Sequence, residues 1–314
     1  MHIGYVINNV LANNKNIIFK NLMDILQYKI SSKNGMINIL EGKRFNNPKA
    51  IILNVHGLGS HFQFVYPNLD ELKYRDDFFC MFNYKTFGFE FYGHGKSDGP
   101  KCLINNFDSL VDNLEDVISY LFNKYKLKIY ILAESLGGAV VLKHLIKSND
   151  EKIIGVILLS PMCGIDEHLK PNPIIIKSLI GISKLFPQLK LALTTKNLSQ
   201  ESVINQDYIN AKNDCTYSYK GSHRLATVRE IYNTSLWIPE NSHKIDKPLL
   251  IFHGLHDKIT TPQGSQKVFD IIKTKDKEII MLPESEHSLL VPNDSYDLTP
   301  NFIYSKILGW LENH

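Results

Sequence analysis

Ser135 stands in the stretch ILAESLGGAVVLKHL, between a short apolar run and two glycines. The order strand, A-E-S-L-G, helix fits a nucleophile elbow, usually written G-x-S-x-G. A tight turn from strand to helix pushes the serine hydroxyl above the sheet edge. Small residues are needed two before and two after, because strand and helix pass close together. Gly137 fills the second slot and Ala133 the first. A serine is a weak nucleophile without a base and a group that orients the base. In hydrolases built this way, those partners follow in the order Ser, acid, His. Downstream, PLLIFHG runs into LHDKITTP, and EIIMLP runs into ESEHSLL. Asp257 and His287 therefore each follow a strand, at the edge where such sheets place functional groups. We assign Ser135 as nucleophile, His287 as general base and Asp257 as its orienting carboxylate. Asp246 and Asp270 compete less well for that last role: one precedes its strand and the other lies in a helix.

An acyl-transfer site also needs donors for the developing oxyanion. The segment HGLGSH follows the strand AIILNV, and its glycines let the backbone turn so that the Leu58 N–H faces the site. The Leu136 N–H, at the start of the helix after the elbow, supplies the second donor. His61 and Glu134 are assigned to the substrate pocket.

The elements that position these groups are legible in the apolar pattern. AIILNV, KIYILAE, IIGVILLS, PLLIFHG and EIIMLP are runs suited to strands buried on both faces. YKISS and MINILEG read as a hairpin turning through Asn34-Gly35. A helix is expected from about Phe107 to Tyr125, with Asn106 as N-cap, and others over LGGAVVLKHLIK, near residues 263–273 and near 300–312. Strands alternating with helices argue for an α/β fold, a mostly parallel sheet covered on both sides. Residues 165–243 break the rhythm and read as a helical cap inserted between two strands, bounded and bent by Pro171, Pro173 and Pro187. The division expected is an extension over residues 1–25, a core over 26–164 and 244–314, and a cap over 165–243.

Taken together, HGLGSH, GFEFYGHGKSDGP, AESLGGA, LSPMCGI, HGLHDKITTP and SEHSLL resemble the monoglyceride lipase-like branch of the α/β hydrolases, in that branch's order. The branch includes monoacylglycerol lipases, lysophospholipases and plant caffeoylshikimate-type esterases. The resemblance covers roughly residues 28 to 312. It implies an α/β-hydrolase core with a helical cap and a lipid-like acyl ester as substrate. Two positions depart from the pattern. Ala133 replaces the first elbow glycine, and Glu90 stands where an aspartate commonly precedes G-H-G. Glu134 looks like the plant esterases at its position.

The expected reaction is cleavage of a carboxylic ester through an acyl-enzyme, with monoacylglycerol or lysophospholipid as first-choice substrate. The same machinery could serve a general esterase, a thioesterase, an acyltransferase or a peptidase, or a pocket could retain a ligand without catalysis. No cofactor and no metal are expected. His253 and His256 beside Asp257 lack a further ligand at suitable spacing, and His56 and His94 read as structural hydrogen-bonding residues in Gly-flanked turns. With 44% hydrophobic and 21% charged residues and a net charge of only +3, the composition is that of a globular chain without a nucleic-acid footprint. Four scattered cysteines give no C-x-x-C pair, the pattern of free thiols in a reducing cytoplasm. The N-terminus has no basic and apolar leader pattern. No apolar run reaches the roughly 18 residues of a membrane span. The helix-like stretch Ile174–Phe186 is apolar on most sides, so membrane contact, if any, is expected to be peripheral and through the cap. No protein partner is legible.

Overall fold

The computed structural model describes residues 25–42, 47–62, 71–164, 172–190, 202, 204–294 and 296–314. The expected N-terminal extension falls outside these, apart from its last residue.

Among the described residues, eight strands form one sheet in the order β1-β2-β4-β3-β5-β6-β7-β8. These are β1 (Leu26–Ser32), β2 (Gly35–Glu41), β3 (Ala50–Val55), β4 (Tyr84–Glu90), β5 (Ile129–Glu134), β6 (Ile153–Leu159), β7 (Leu249–Gly254) and β8 (Lys277–Leu282). β1 pairs antiparallel with β2, and β2 antiparallel with β4; all other pairings are parallel. The hairpin forms one residue earlier than Asn34-Gly35 implies. Ser32 pairs with Gly35, so Lys33 and Asn34 make the turn, and Gly35 opens β2 at φ +140°.

The inner strands are continuous apolar runs because both faces are covered. Along β3, Ile51, Leu53 and Val55 pack into one core layer, while Ala50 and Ile52 pack into the other. β5 alternates likewise, with Ile129, Ile131 and Ala133 on the first face and Tyr130 and Leu132 on the second. The first layer is closed by α2 (Asp108–Tyr125), α3 (Leu136–Lys147), α6 (Leu225–Asn241) and α7 (Pro262–Ile271). The second is closed by α1 (Glu71–Cys80) and α8 (Thr299–Leu311), through Phe78, Phe79, Ile303, Tyr304, Ile307 and Trp310. Each fully buried large apolar side chain contributes about 1.5–3 kcal/mol relative to exposure, so the inner strands form a stiff platform.

α2 begins with Asp108. Phe107, and not the expected Asn106, holds the N-cap position and makes no side-chain cap; Asn106, one residue earlier, accepts from the Asp108 N–H through its side-chain oxygen at 3.0 Å. Between β6 and β7 the chain makes a helical excursion containing α4 (Pro173–Leu185), α5 (Gln206–Asp214) and α6. Pro173 occupies the first turn of α4, where its missing N–H costs nothing, and Asn172 caps the helix by accepting from Ile174 N–H. Pro171 lies outside the described residues.

Candidate active site

Parallel strands end at one rim, and the loops after β3, β5, β7 and β8 carry the residues singled out from the sequence. Ser135 joins β5 to α3 with φ +52° and ψ −119°, a backbone conformation rare for any residue but glycine. The turn is held from three sides. The Ser135 N–H donates to Leu159 O at 3.0 Å, and the Ser135 carbonyl accepts from Met162 N–H at 2.9 Å and Ala139 N–H at 3.3 Å. The need for a small residue two places on is explicit: a Cβ at Gly137 would lie 2.6 Å from Val55 O and 2.7 Å from His56 O. Ala133, two places before, is fully buried.

Asp257 and His287 meet directly. His287 Nδ1 lies 2.6 Å from Asp257 Oδ2. That carboxylate has further donors on both oxygens. Its Oδ1 accepts from the backbone N–H groups of Ile259 at 2.7 Å and Thr260 at 2.9 Å. Its Oδ2 also accepts from Thr260 Oγ1 at 2.8 Å, and His253 Nε2 approaches to 3.1 Å. Burial by itself would raise the Asp257 pKa. The charge of His287 and the hydrogen bonds from His253 and His287 outweigh it and hold the carboxyl well below the usual range. An ionised Asp257 accepts at Nδ1–H, which leaves His287 Nε2 as the ring nitrogen free of the carboxylate.

Sequence reasoning did not single out Thr260, and it weighed His253 only as a metal ligand, which it set aside. Thr260 follows Asp257 in the same turn and also reaches Ser160 O at 3.3 Å, tying the aspartate loop to the end of β6. His253 is fully buried, with Nδ1 2.7 Å from Ser265 Oγ. An H-G step just before the loop was the available signal. Among the described residues no group of three or more His, Cys, Asp or Glu side chains could hold a metal ion.

The loop after β3 passes over the serine: a Cβ at Gly57 would lie 3.2 Å from Ser135 Cβ. Leu58 follows Gly57, and Leu136 opens α3 beside Ser135. His56 braces this loop. Its Nε2 accepts from Phe91 N–H at 3.2 Å, so its Nδ1–H donates to Gly57 O at 2.7 Å. Burial pushes its pKa well below the ordinary histidine value and keeps that tautomer neutral. His61 is almost fully enclosed against the segment before α6, with Nε2 3.3 Å from both Ser218 Oγ and Cys215 Sγ. Glu134 is ion-paired with Arg75 of α1. Among the described residues, no hydrogen bond joins Ser135 Oγ to His287. The topology brings both to the same rim, and such bonds commonly tighten only when substrate is bound.

Asp257 stays anionic through the weakly acid range, because its pKa is lowered. His61 and His94 are held down to about 4, chiefly by burial, and so stay neutral there.

Comparison with known proteins adds an independent finding. The family model described as serine aminopeptidase, S33, matches residues 46–294. The chain is 23% identical over 248 residues to the caffeoylshikimate esterase of Arabidopsis thaliana, covering 77% of this chain and 72% of that protein. It is 24% identical over 285 residues to the monoglyceride lipase of Saccharomyces cerevisiae, covering 86% of each. The fold is similar to the crystal structure of a soluble variant of that yeast lipase in complex with a substrate analogue. There the TM-score is 0.77 at 17% identity, covering 96% of this chain and 98% of the other.

Proposed function

The chain belongs to the serine aminopeptidase S33 family of α/β hydrolases and is a serine hydrolase of carboxylic esters, and on that premise we propose that it cleaves monoacylglycerol or lysophospholipid through an acyl-enzyme on Ser135. His287 takes the proton from Ser135 as the hydroxyl attacks the carbonyl carbon. Asp257 holds the imidazole in the tautomer that can accept it. The tetrahedral oxyanion is received by the N–H groups of Leu58 and Leu136. His287 then protonates the departing alcohol, and water cleaves the acyl-enzyme by the same steps in reverse order of roles. The observation that carries this reading is the Asp257–His287 pair, 2.6 Å apart, on the rim that also bears the elbow serine.

The lipid-like substrate has two supports. The similar yeast protein is by name a monoglyceride lipase. The second is the excursion between β6 and β7, which we take as a cap over residues 165–243. On α4 and the turn after it, Ile174, Leu185 and Phe186 are 75%, 77% and 62% exposed. An apolar face of that kind fits acyl chains or the surface of a lipid aggregate. The same face supports peripheral contact of a cytoplasmic enzyme with membrane. Among the described residues no helix is long and apolar enough to cross a membrane.

The test is a substrate panel at equal concentration: monoacylglycerols of varied chain length, lysophospholipids, short phenolic esters, thioesters and aminoacyl amides. Long-chain monoacylglycerol or lysophospholipid is expected to give the highest kcat/KM. A preference of tenfold or more for phenolic esters, thioesters or amides would replace the lipid reading by an esterase, thioesterase or peptidase on the same machinery.

A further inference from the structure

The two amides assigned to the oxyanion sit on different parts of the chain. Leu58 lies in the loop after β3, and Leu136 opens the helix after β5. β3 and β5 are neighbours, and their ladder runs as far as Asn54 opposite Leu132 and Val55 opposite Ala133. Beyond that point the ladder no longer joins them, although Gly57 still passes close to Ser135, and both N–H groups must point at one atom from about 2.7–3.1 Å. Something past the ladder has to set their spacing.

Arg75 occupies that place. It comes from α1, and its side chain has no exposed surface. Nη1 donates to Asn54 Oδ1 at 2.8 Å, at the end of β3. Nη2 is paired with the carboxylate of Glu134, the residue immediately before Ser135. Asn54 is fixed from its other side, its Nδ2 donating to Phe87 O at 3.0 Å. The guanidinium also lies 5.7 Å from the ring centroid of Phe62, just after the oxyanion segment. One planar, doubly engaged group thus spans the ends of the two strands whose following residues would form the hole. A guanidinium suits this task because its donors are fixed in a fork, whereas an ammonium is a single point. Its burial also places a full positive charge beneath the elbow, offset by a carboxylate that is one-third exposed.

We infer that Arg75 is a positioning residue for catalysis, whose bridge from Asn54 to Glu134 holds the β3 loop and the elbow at the separation the oxyanion needs. It touches neither substrate nor reacting atoms. The inference rests on the acyl-enzyme reading given above.

The experiment compares wild type with Arg75→Gln, Arg75→Lys, Glu134→Ala and the double variant R75Q/E134A. Active sites are titrated with a fluorophosphonate, so that kcat refers to competent enzyme only. Affinity for a trifluoromethyl ketone, which forms a hemiketal oxyanion on the serine, is measured beside KM for a short ester. R75Q is expected to lose about 10–100-fold in kcat, the scale of a misplaced oxyanion donor, with KM changed less than about threefold. Ketone affinity should fall in step with kcat. R75K, keeping charge but not the span, should remain near R75Q. E134A should lower kcat similarly, and the double variant should lose no more than the worse single one, because both break one bridge.

Titrated enzyme turning over at the wild-type rate in R75Q would make the arginine merely structural and overturn the inference. So would a rise in KM without loss of kcat, full recovery in R75K, or additive losses in the double variant. Failure of the wild-type enzyme to be labelled would instead defeat the acyl-enzyme reading itself.

Discussion

Ser135→Ala is expected to lower kcat by about 10⁶-fold and to abolish labelling by a fluorophosphonate probe, while the protein stays folded. The rate effect is the scale seen when the nucleophile of such a unit is removed. Retention of the fold follows from what holds the residue in place. Ser135 is fixed through its backbone, by bonds to Leu159, Ala139 and Met162. Alanine keeps all three and has the same difficulty with φ +52°. The melting temperature should therefore move by no more than a few degrees. Labelling that persists in the alanine variant would assign the reactive nucleophile elsewhere.

Asp257→Asn should be nearly as damaging, at about 10⁴-fold in kcat, and for a reason written in the hydrogen bonds. Oδ1 of Asp257 receives two backbone N–H groups, from Ile259 and Thr260. An asparagine would keep its oxygen there, since an NH₂ cannot accept from them. Its NH₂ would then face His287 Nδ1, offering a donor where the imidazole needs an acceptor. The ring would turn over to the tautomer with hydrogen on Nε2, which cannot take a proton from serine. The same NH₂ would confront His253 Nε2 and Thr260 Oγ1, so a modest loss of thermal stability is expected too. Near-normal kcat in this variant, with its melting temperature measured alongside, would remove Asp257 from the orienting role.

The core was readable because its inner strands are buried on both faces and are mostly apolar. AIILNV, KIYILAE and PLLIFHG announce themselves, and the order Ser, Asp, His follows once each is placed at a strand end. β4 was not legible as a strand, although all seven residues of YKTFGFE are buried. Lys85 and Gly88 interrupt its pattern. The lysine is tolerated because its ammonium reaches Gly42 O at 3.0 Å and Glu41 Oε1 at 3.0 Å, partners that a linear reading cannot supply. α1 was missed for the same reason. ELKYRDDFFC has no clear apolar stripe, and the buried Arg75 meets partners, Asn54 and Glu134, that come from two other elements. Glu134 itself was expected to face the pocket. Its ion pair with Arg75 depends on the packing of a helix that begins more than sixty residues earlier in the chain. His61 likewise faces Ser218 and Cys215 of the excursion, which only the folded arrangement brings near.

The elbow serine has a consequence for how this protein could accommodate different molecules. Since its peptide groups are stitched to the end of β6 and to the loop beyond it, the hydroxyl proposed to attack travels with the platform and not with any mobile strap. On the function proposed above, adaptation to a longer, shorter or bulkier guest then falls to the stretch after Met162 and before Leu249. Shuffling that stretch would alter what is admitted while leaving untouched the point at which it is cut.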